Sequence, residues 1–134
     1  MSEENVEIVR QIHDAWGVGN LSVGGDNLDP QVTFIVRPPF PEPATLVGPE
    51  AISEYMHGFL KQFKARSHTL EATRLRASGD TVLVDVRMNA EGRASGVEGD
   101  LDFFVLYTFR GGRIVRIESI LDGDEASEAA GLSE

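Results

Sequence analysis

The sequence predicts an α+β domain in which a curved antiparallel sheet wraps around helices from the first half of the chain. Two stretches in the first half carry apolar residues at helical spacing, and four β-rich stretches joined by short glycine-bearing turns follow. The chain has 134 residues, of which 41% are hydrophobic, enough for one core but not for two. We therefore predict a single domain over residues 1–134.

The first helix is predicted to begin at Ser2, a typical N-cap, and to end at Gly17. Acidic side chains in its first turn complement the helix dipole. Its apolar stripe consists of Val6, Ile8, Val9, Ile12, Ala15 and Trp16. The next segment, LSVGGDNLDP at residues 21–30, is predicted as a weak helix or a turn, because its paired glycines oppose a helix.

A short β-rich run, QVTFIV at residues 31–36, precedes a proline-rich segment, RPPFPEP at residues 37–43. Prolines fix the backbone and remove strand donors, so we predict a stiff extended loop that covers part of the protein. The second clear helix is predicted to begin at Pro49, since proline suits the first helical position. Its apolar face consists of Ile52, Tyr55, Met56, Phe59, Leu60 and Phe63.

Four strands are predicted in the second half, at about residues 68–76, 81–91, 97–109 and 113–122. The connections SGD, GRASG and RGG are short and contain glycine, as is typical of hairpins. A last short helix, about Asp124 to Ala130, begins on acidic residues and ends before Gly131.

Composition excludes several classes of function. Twelve basic against twenty-two acidic residues give a formal charge of −10, which repels nucleic acid and anionic membrane surfaces. Cysteine is absent, which excludes disulfides and thiolate zinc sites. No apolar stretch is long enough to span a membrane, and no signal-peptide core is seen, so a cytoplasmic protein is expected.

The strand VLVDVRMNA, residues 82–90, separates apolar from polar side chains. Side chains alternate between the faces of a strand, so Asp85, Arg87 and Asn89 share one face and the neighbouring Val and Met residues share the other. The polar face is either a solvent face with ordinary ion pairs or the lining of a polar pocket.

Motifs along nearly the whole chain resemble one family. They are the opening SEENVEIVRQIHDAWGVGN, LDPQVTF, GPEAISEYM, GDTVLV and the ending YTFRGGRIVRIESILD. Together they are similar to the SnoaL-like proteins of the nuclear-transport-factor-2-like superfamily, which also holds ketosteroid isomerase, scytalone dehydratase and limonene epoxide hydrolase. The resemblance implies a cone with one deep, mostly apolar pocket.

The resemblance also implies a set of pocket residues. The wall would be formed by Ile12, Trp16, Phe34, Val36, Tyr55, Phe59, Val105, Tyr107, Ile117 and Ser119. The same mapping turns Asp85, Arg87 and Asn89 inward. A shift of one residue would reverse every side chain on that strand.

The catalytic groups of the relatives are mostly missing. At the three positions that carry the base and the oxyanion hole in ketosteroid isomerase, this chain has Val36, Ile12 and Val105. The acid-base aspartate of the SnoaL-type cyclases is replaced by Ser119. Neither mechanism keeps its proton carrier here.

Limonene epoxide hydrolase is the closest remaining template. Its Arg-x-Asp and second Asp correspond to Arg87-x-Asn89 and Ser119, and Phe34 and Val36 replace its Tyr and Asn. Amides and hydroxyls cannot take a proton at neutral pH, so epoxide hydrolysis by that mechanism is not expected.

The resemblance therefore suggests a cofactor-independent enzyme that acts on a compact, hydrophobic, oxygenated molecule by isomerase, cyclase, dehydratase or epoxide-hydrolase chemistry. Asp85 would be the base, Arg87 would polarise a substrate oxygen, and Asn89, Tyr55, Tyr107 and Ser119 would position the substrate. The alternative is a non-catalytic small-molecule-binding protein or a dimeric scaffold of the same fold.

The three histidines predict no metal site, because their spacing is not that of metal ligands. We expect a partly exposed His13 and a solvated His57, and His68 could face either way. No cofactor is expected. A homodimer is expected through the outer sheet face, formed by Phe104, Leu106, Val84, Val86 and Met88.

Overall fold

The computed structural model describes residues 2–17, 27–38, 40, 43–60, 69–91 and 98–132. The elements in chain order are α1 (Ser2–Gly17), β1 (Leu28–Val36), β2 (Ala44–Val47), α2 (Pro49–Leu60), β3 (Thr69–Ser78), β4 (Thr81–Glu91), β5 (Glu98–Arg110), β6 (Arg113–Ile120) and α3 (Gly123–Ala129). They confirm the predicted α+β class. The weak helix or turn predicted for residues 21–26, the GRASG connection and His68 lie outside the described residues.

The strands form one mixed sheet in the order β2-β1-β6-β5-β4-β3. All neighbours are antiparallel except β1 and β6, which run parallel. The first and last strands of the chain, β1 and β6, are therefore neighbours inside the sheet. Strand β2 was not predicted, because four residues behind a proline-rich segment are too few to show a period.

Glycines make two of the tight connections. Gly111 and Gly112 join β5 to β6 with φ of 61° and 81°, the left-handed values that a two-residue hairpin of this twist requires. Gly79, with φ of 58°, lies in the turn between β3 and β4. The predicted SGD and RGG hairpins are confirmed.

Helices α1 and α2 cover one side of the sheet, which we call the inner face. Helix α1 packs on β3 and β4, and α2 packs on β1 and β2. Val9 and Ile12 of α1 and Ile52 and Met56 of α2 are buried at the helical spacing that the sequence predicted. None of the described helices is long and apolar enough to cross a membrane.

The opposite side, the outer face, carries a smaller apolar cluster that α3 covers. Ala126 of α3 and Ala130, its C-cap, lie against Leu83 and Leu106, and small side chains let the helix approach the sheet closely. The helix begins where the Asp122 side chain accepts a hydrogen bond from the Asp124 N–H, at 3.2 Å. The predicted last helix is confirmed.

The outer face does not have the composition predicted for a dimer surface. Phe104 and Leu106 do lie on the outer face, but they pack in the cluster under α3. Val84, Val86 and Met88 face the interior instead, where each is buried. The composition predicted for that dimer surface is therefore wrong, and the homodimer itself stays a prediction.

Candidate functional site

A small cavity lies between the two inner helices and the inner face of the sheet. Its volume is about 30 Å³, which is room for one or two water molecules. The described residues that line it are His13, Phe34, Phe40, Met56, Phe59, Val86, Phe103, Val105 and Ile117. The wall is almost wholly apolar, and His13 is its polar member among these residues.

His13 is held at this wall by a partner from the centre of the sheet. Its Nε2 lies 2.8 Å from the Tyr107 hydroxyl oxygen, and the two rings meet edge to face with their centroids 5.7 Å apart. His13 is 5% exposed and Tyr107 is fully buried. A hydrogen bond between two buried polar groups satisfies both of them, which is why this pair is tolerated inside an apolar core.

Burial also fixes the charge of both groups. It lowers the pKa of His13 to about 4, because the imidazolium form loses its hydration. It raises the pKa of Tyr107 above its ordinary value for the same reason. At neutral pH the pair is therefore uncharged, with an imidazole that can donate one hydrogen bond and accept one.

The prediction of a partly exposed His13 is wrong. The residue follows Ile12 at the margin of the apolar stripe, and it lies four positions after the buried Val9, on the same helix side. This spacing from Val9 was the sequence feature that could have indicated the burial of His13. The decisive partner, Tyr107, is 94 residues away in the chain, so its position follows from the fold and not from any local pattern. His57 is exposed, as predicted.

Several residues placed in the pocket from the resemblance do line the cavity. Phe34, Phe59, Val105 and Ile117 are among its walls. Ile12 and Val36 are buried nearby in the same core, and Tyr55 packs its ring on Phe40 at 6.1 Å between centroids. The Trp16 side chain lies outside the described part of the chain.

Ser119 is turned to the backbone rather than to the cavity. Its hydroxyl accepts a hydrogen bond from the Arg37 N–H and donates one to the Arg37 carbonyl oxygen, each at 2.8 Å. The side chain thereby extends the pairing of β1 with β6 beyond the end of β1. The predicted contact of Ser119 with a substrate has no support in this arrangement.

The inward orientation assigned to Asp85, Arg87 and Asn89 is wrong. Strand β4 pairs with β5 so that Val84 lies opposite Val105, and cross-strand partners share a face. Since Val105 lines the cavity, Val84 is inside and its neighbour Asp85 is outside. The same alternation puts Arg87 and Asn89 on the outer face.

Ion pairs on the outer face account for these charges. Asp85 accepts hydrogen bonds from Arg74 at 3.3 Å and from Arg76 at 3.0 Å, and a bulge in β3 brings both arginines to its side. Arg87 forms a bidentate salt bridge with Asp102, in which Nε lies 2.9 Å from Oδ1 and Nη2 lies 3.2 Å from Oδ2. This salt bridge lowers the pKa of the Asp102 carboxyl. The solvent-face alternative is therefore confirmed.

No carboxylate lines the cavity among the residues that the structure describes. Nor does any group of three or more histidine and acidic side chains in the described ranges have a geometry that could hold a metal ion. The chemical groups available at the cavity are thus the neutral imidazole of His13 and, behind it, the Tyr107 hydroxyl.

Comparison with known proteins identifies the fold family. The model of the SnoaL-like domain family matches residues 9–117. No curated protein sequence matches the chain.

The solved structures that share the fold include the following three. An NTF2-like protein of unknown function from Burkholderia pseudomallei is 21% identical, with a TM-score of 0.76 over 97% of this chain and 98% of its own. A protein provisionally assigned as a SnoaL-like polyketide cyclase from Jannaschia sp. is 19% identical, with a TM-score of 0.77 over 99% and 95%. A protein from Catenulispora acidiphila with a ketosteroid isomerase-like fold, in complex with trimethylamine, is 19% identical, with a TM-score of 0.73 over 95% and 94%. Identities this low show a common fold but do not establish a common activity.

Burial of His13 predicts a stability that falls in mild acid. The pKa is about 4 in the folded protein and about 6.5 in the unfolded chain, so the unfolded chain binds more protons between these values. The free energy of unfolding should be fully maintained above about pH 6.5 and should fall by up to about 3 kcal/mol as the pH drops towards 4. Urea unfolding of the wild type and of His13→Gln across this range measures the difference.

His57→Gln, which alters an exposed histidine and leaves the His13–Tyr107 pair intact, is the matched control and should retain the His13 contribution. His13→Gln should lack the His13 contribution, whatever its overall stability. An unchanged pH slope in His13→Gln would contradict the assigned burial.

Asp85→Asn should leave the cavity unaltered, because Asp85 lies on the far side of the sheet in an ion-pair cluster. We expect a loss of about 1–3 kcal/mol in the free energy of unfolding, because the Asp85 and Arg76 side chains are 21% and 24% exposed and Arg76 loses its carboxylate partner. Asp102→Asn, which breaks the more exposed Arg87–Asp102 pair on the same face, is the control. A shift of the His13 ring NMR signals in Asp85→Asn alone would contradict this placement.

Proposed function

Since this chain belongs to the SnoaL-like family, we propose that it is a small-molecule enzyme that polarises an oxygen of its substrate with His13. The observation that carries the proposal is the His13–Tyr107 pair at the wall of an otherwise apolar cavity. A buried, uncharged imidazole in such a place is a hydrogen-bonding group in the wall of an otherwise apolar space.

The lining supports a neutral, mostly apolar substrate. Burying a charged group against aromatic and aliphatic side chains costs several kcal/mol unless a partner of opposite charge is present. The described wall offers no such partner, since its members other than His13 are apolar. A compact hydrophobic molecule with one ketone or hydroxyl group therefore fits best.

His13 would act as an electrophile towards this oxygen. A neutral imidazole can hold a carbonyl by a hydrogen bond that strengthens as negative charge develops on the oxygen. Withdrawal of electrons into the carbonyl makes the adjacent C–H more acidic, and a water molecule can then take the proton. Tyr107 would be a positioning residue, because its bond to Nε2 sets the orientation of the ring.

A non-catalytic binding protein is the second candidate. The observation in its favour is that the positions of the relatives' acid-base carboxylates hold Val36, Val105 and Ser119, and none of the described cavity residues replaces them. Such a protein would use the same pocket and the same hydrogen bond without promoting proton transfer.

The exchange of α-protons of a small ketone for deuterium tests the proposal. In D₂O, the protein should accelerate this exchange in cyclohexanone above the buffer rate, and His13→Gln should reduce the acceleration by about 100-fold. ¹H NMR follows the loss of the α-proton signal. His57→Gln, altered at an exposed histidine on α2, should behave as the wild type.

Two other outcomes separate the candidates. If cyclohexanone shifts the His13 ring signals but its protons exchange at the buffer rate, the result would favour a binding protein over an enzyme. Acceleration that is the same in His13→Gln as in the wild type would contradict the role of His13.

A further inference from the structure

Phe40 is the residue around which the aromatic part of the cavity is arranged. It lies between β1 and β2, is 7% exposed and lines the cavity. Its ring meets four others edge to face, with centroid distances of 6.0 Å to Phe34, 6.1 Å to Tyr55, 4.9 Å to Phe59 and 5.7 Å to Phe103.

The four neighbouring rings form an enclosure that fits one six-membered ring. The partners come from β1, α2 and β5, and three of them also line the cavity beside Phe40. Edge-to-face contacts are one of the two arrangements that aromatic rings prefer. The enclosure is therefore continuous with the space next to His13, and the Phe40 ring fills it.

The space that remains is too small for a cyclic ligand. The cavity measures about 30 Å³, whereas an apolar cavity of about 150 Å³ is known to hold benzene. A ring can thus enter beside His13 only if another group vacates its place. Phe40 is the cavity residue that belongs to no described helix or strand, so its ring is the one whose displacement disturbs the least regular structure.

The backbone at the start of this segment is firmly attached. The Phe40 N–H donates to the Arg37 carbonyl oxygen at 3.1 Å, and the Ser119 hydroxyl holds Arg37 through both its N–H and its carbonyl. The Arg37 guanidinium also pairs with Glu118 of β6 and Glu125 of α3. These contacts hold the backbone before Phe40 in place while its ring packs against its four aromatic neighbours.

We propose that Phe40 determines which ligands the site takes: its ring occupies the subsite of a ligand's ring beside His13, so a cyclic ligand binds only when that ring is displaced. The apparent affinity is then the intrinsic affinity multiplied by the fraction of molecules with an open subsite. The inference rests on the proposed ligand pocket but not on turnover. It predicts that a smaller residue at position 40 tightens the binding of a single ring.

Titration with phenol and benzene, followed by the His13 ring signals in NMR, tests the inference. Phe40→Ala should bind phenol at least about tenfold more tightly than the wild type, because the competing side chain is gone. Phe40→Leu, which frees part of the subsite, should show a smaller gain and provides the answer if Phe40→Ala does not fold.

Phe109→Ala is the matched control. Phe109 is buried to 3% exposure in the same core but is not among the residues that line the cavity. Its truncation removes an equal volume elsewhere, so it should not strengthen the effect of phenol on His13. An equal gain in Phe109→Ala, or no gain in either Phe40 variant, would overturn the proposal.

Benzene separates this inference from the proposed function. It has no oxygen and requires only the ring subsite, so its tighter binding in Phe40→Ala should persist when His13→Gln is added. Persistence supports the role of Phe40 even if cyclohexanone exchange fails, and loss of benzene binding in the double variant would overturn it.

Discussion

The hydrogen bond between His13 and Tyr107 connects the first helix to the centre of the sheet, and the candidate site depends on it. Both groups are buried, so removal of either would leave the other without its 2.8 Å partner, at a cost of about 1–3 kcal/mol. The bond fixes the imidazole at the wall of the cavity. It also explains how a polar group of this kind is kept uncharged in an interior that is otherwise apolar.

The alternation of side chains on β4 divides the molecule into two chemical regions. Val82, Val84 and Val86 complete the inner core, while Asp85 and Arg87 are directed to ion pairs on the outer face. The formal charge of −10 is thereby kept away from the cavity, to which the described residues contribute no charge. This separation favours a neutral ligand, because a charged one would find no partner of opposite charge among the described residues of the cavity.

Local sequence patterns were sufficient to predict most of the helices and strands but not the residues of the candidate site. The helices and the glycine hairpins follow from spacing, capping and turn chemistry, which act within a few residues. On β4, the apolar alternation itself favoured Val84 and Val86 as core residues, and the mapping from the resemblance reversed them. His13 and Phe40 could not be assigned, because their roles arise from contacts with β5 and α2 that only the folded chain brings together.

The pH titration of His13 by ¹H–¹³C NMR, with labelled histidine rings, shows whether the imidazole is buried and uncharged. The signal is assigned by its absence in His13→Gln. We expect a midpoint near pH 4, since burial against the cavity wall lowers the pKa of the imidazole to about that value. A midpoint near pH 6.5 would show that the ring reaches water, and it would contradict the account of an uncharged, buried pair at the cavity.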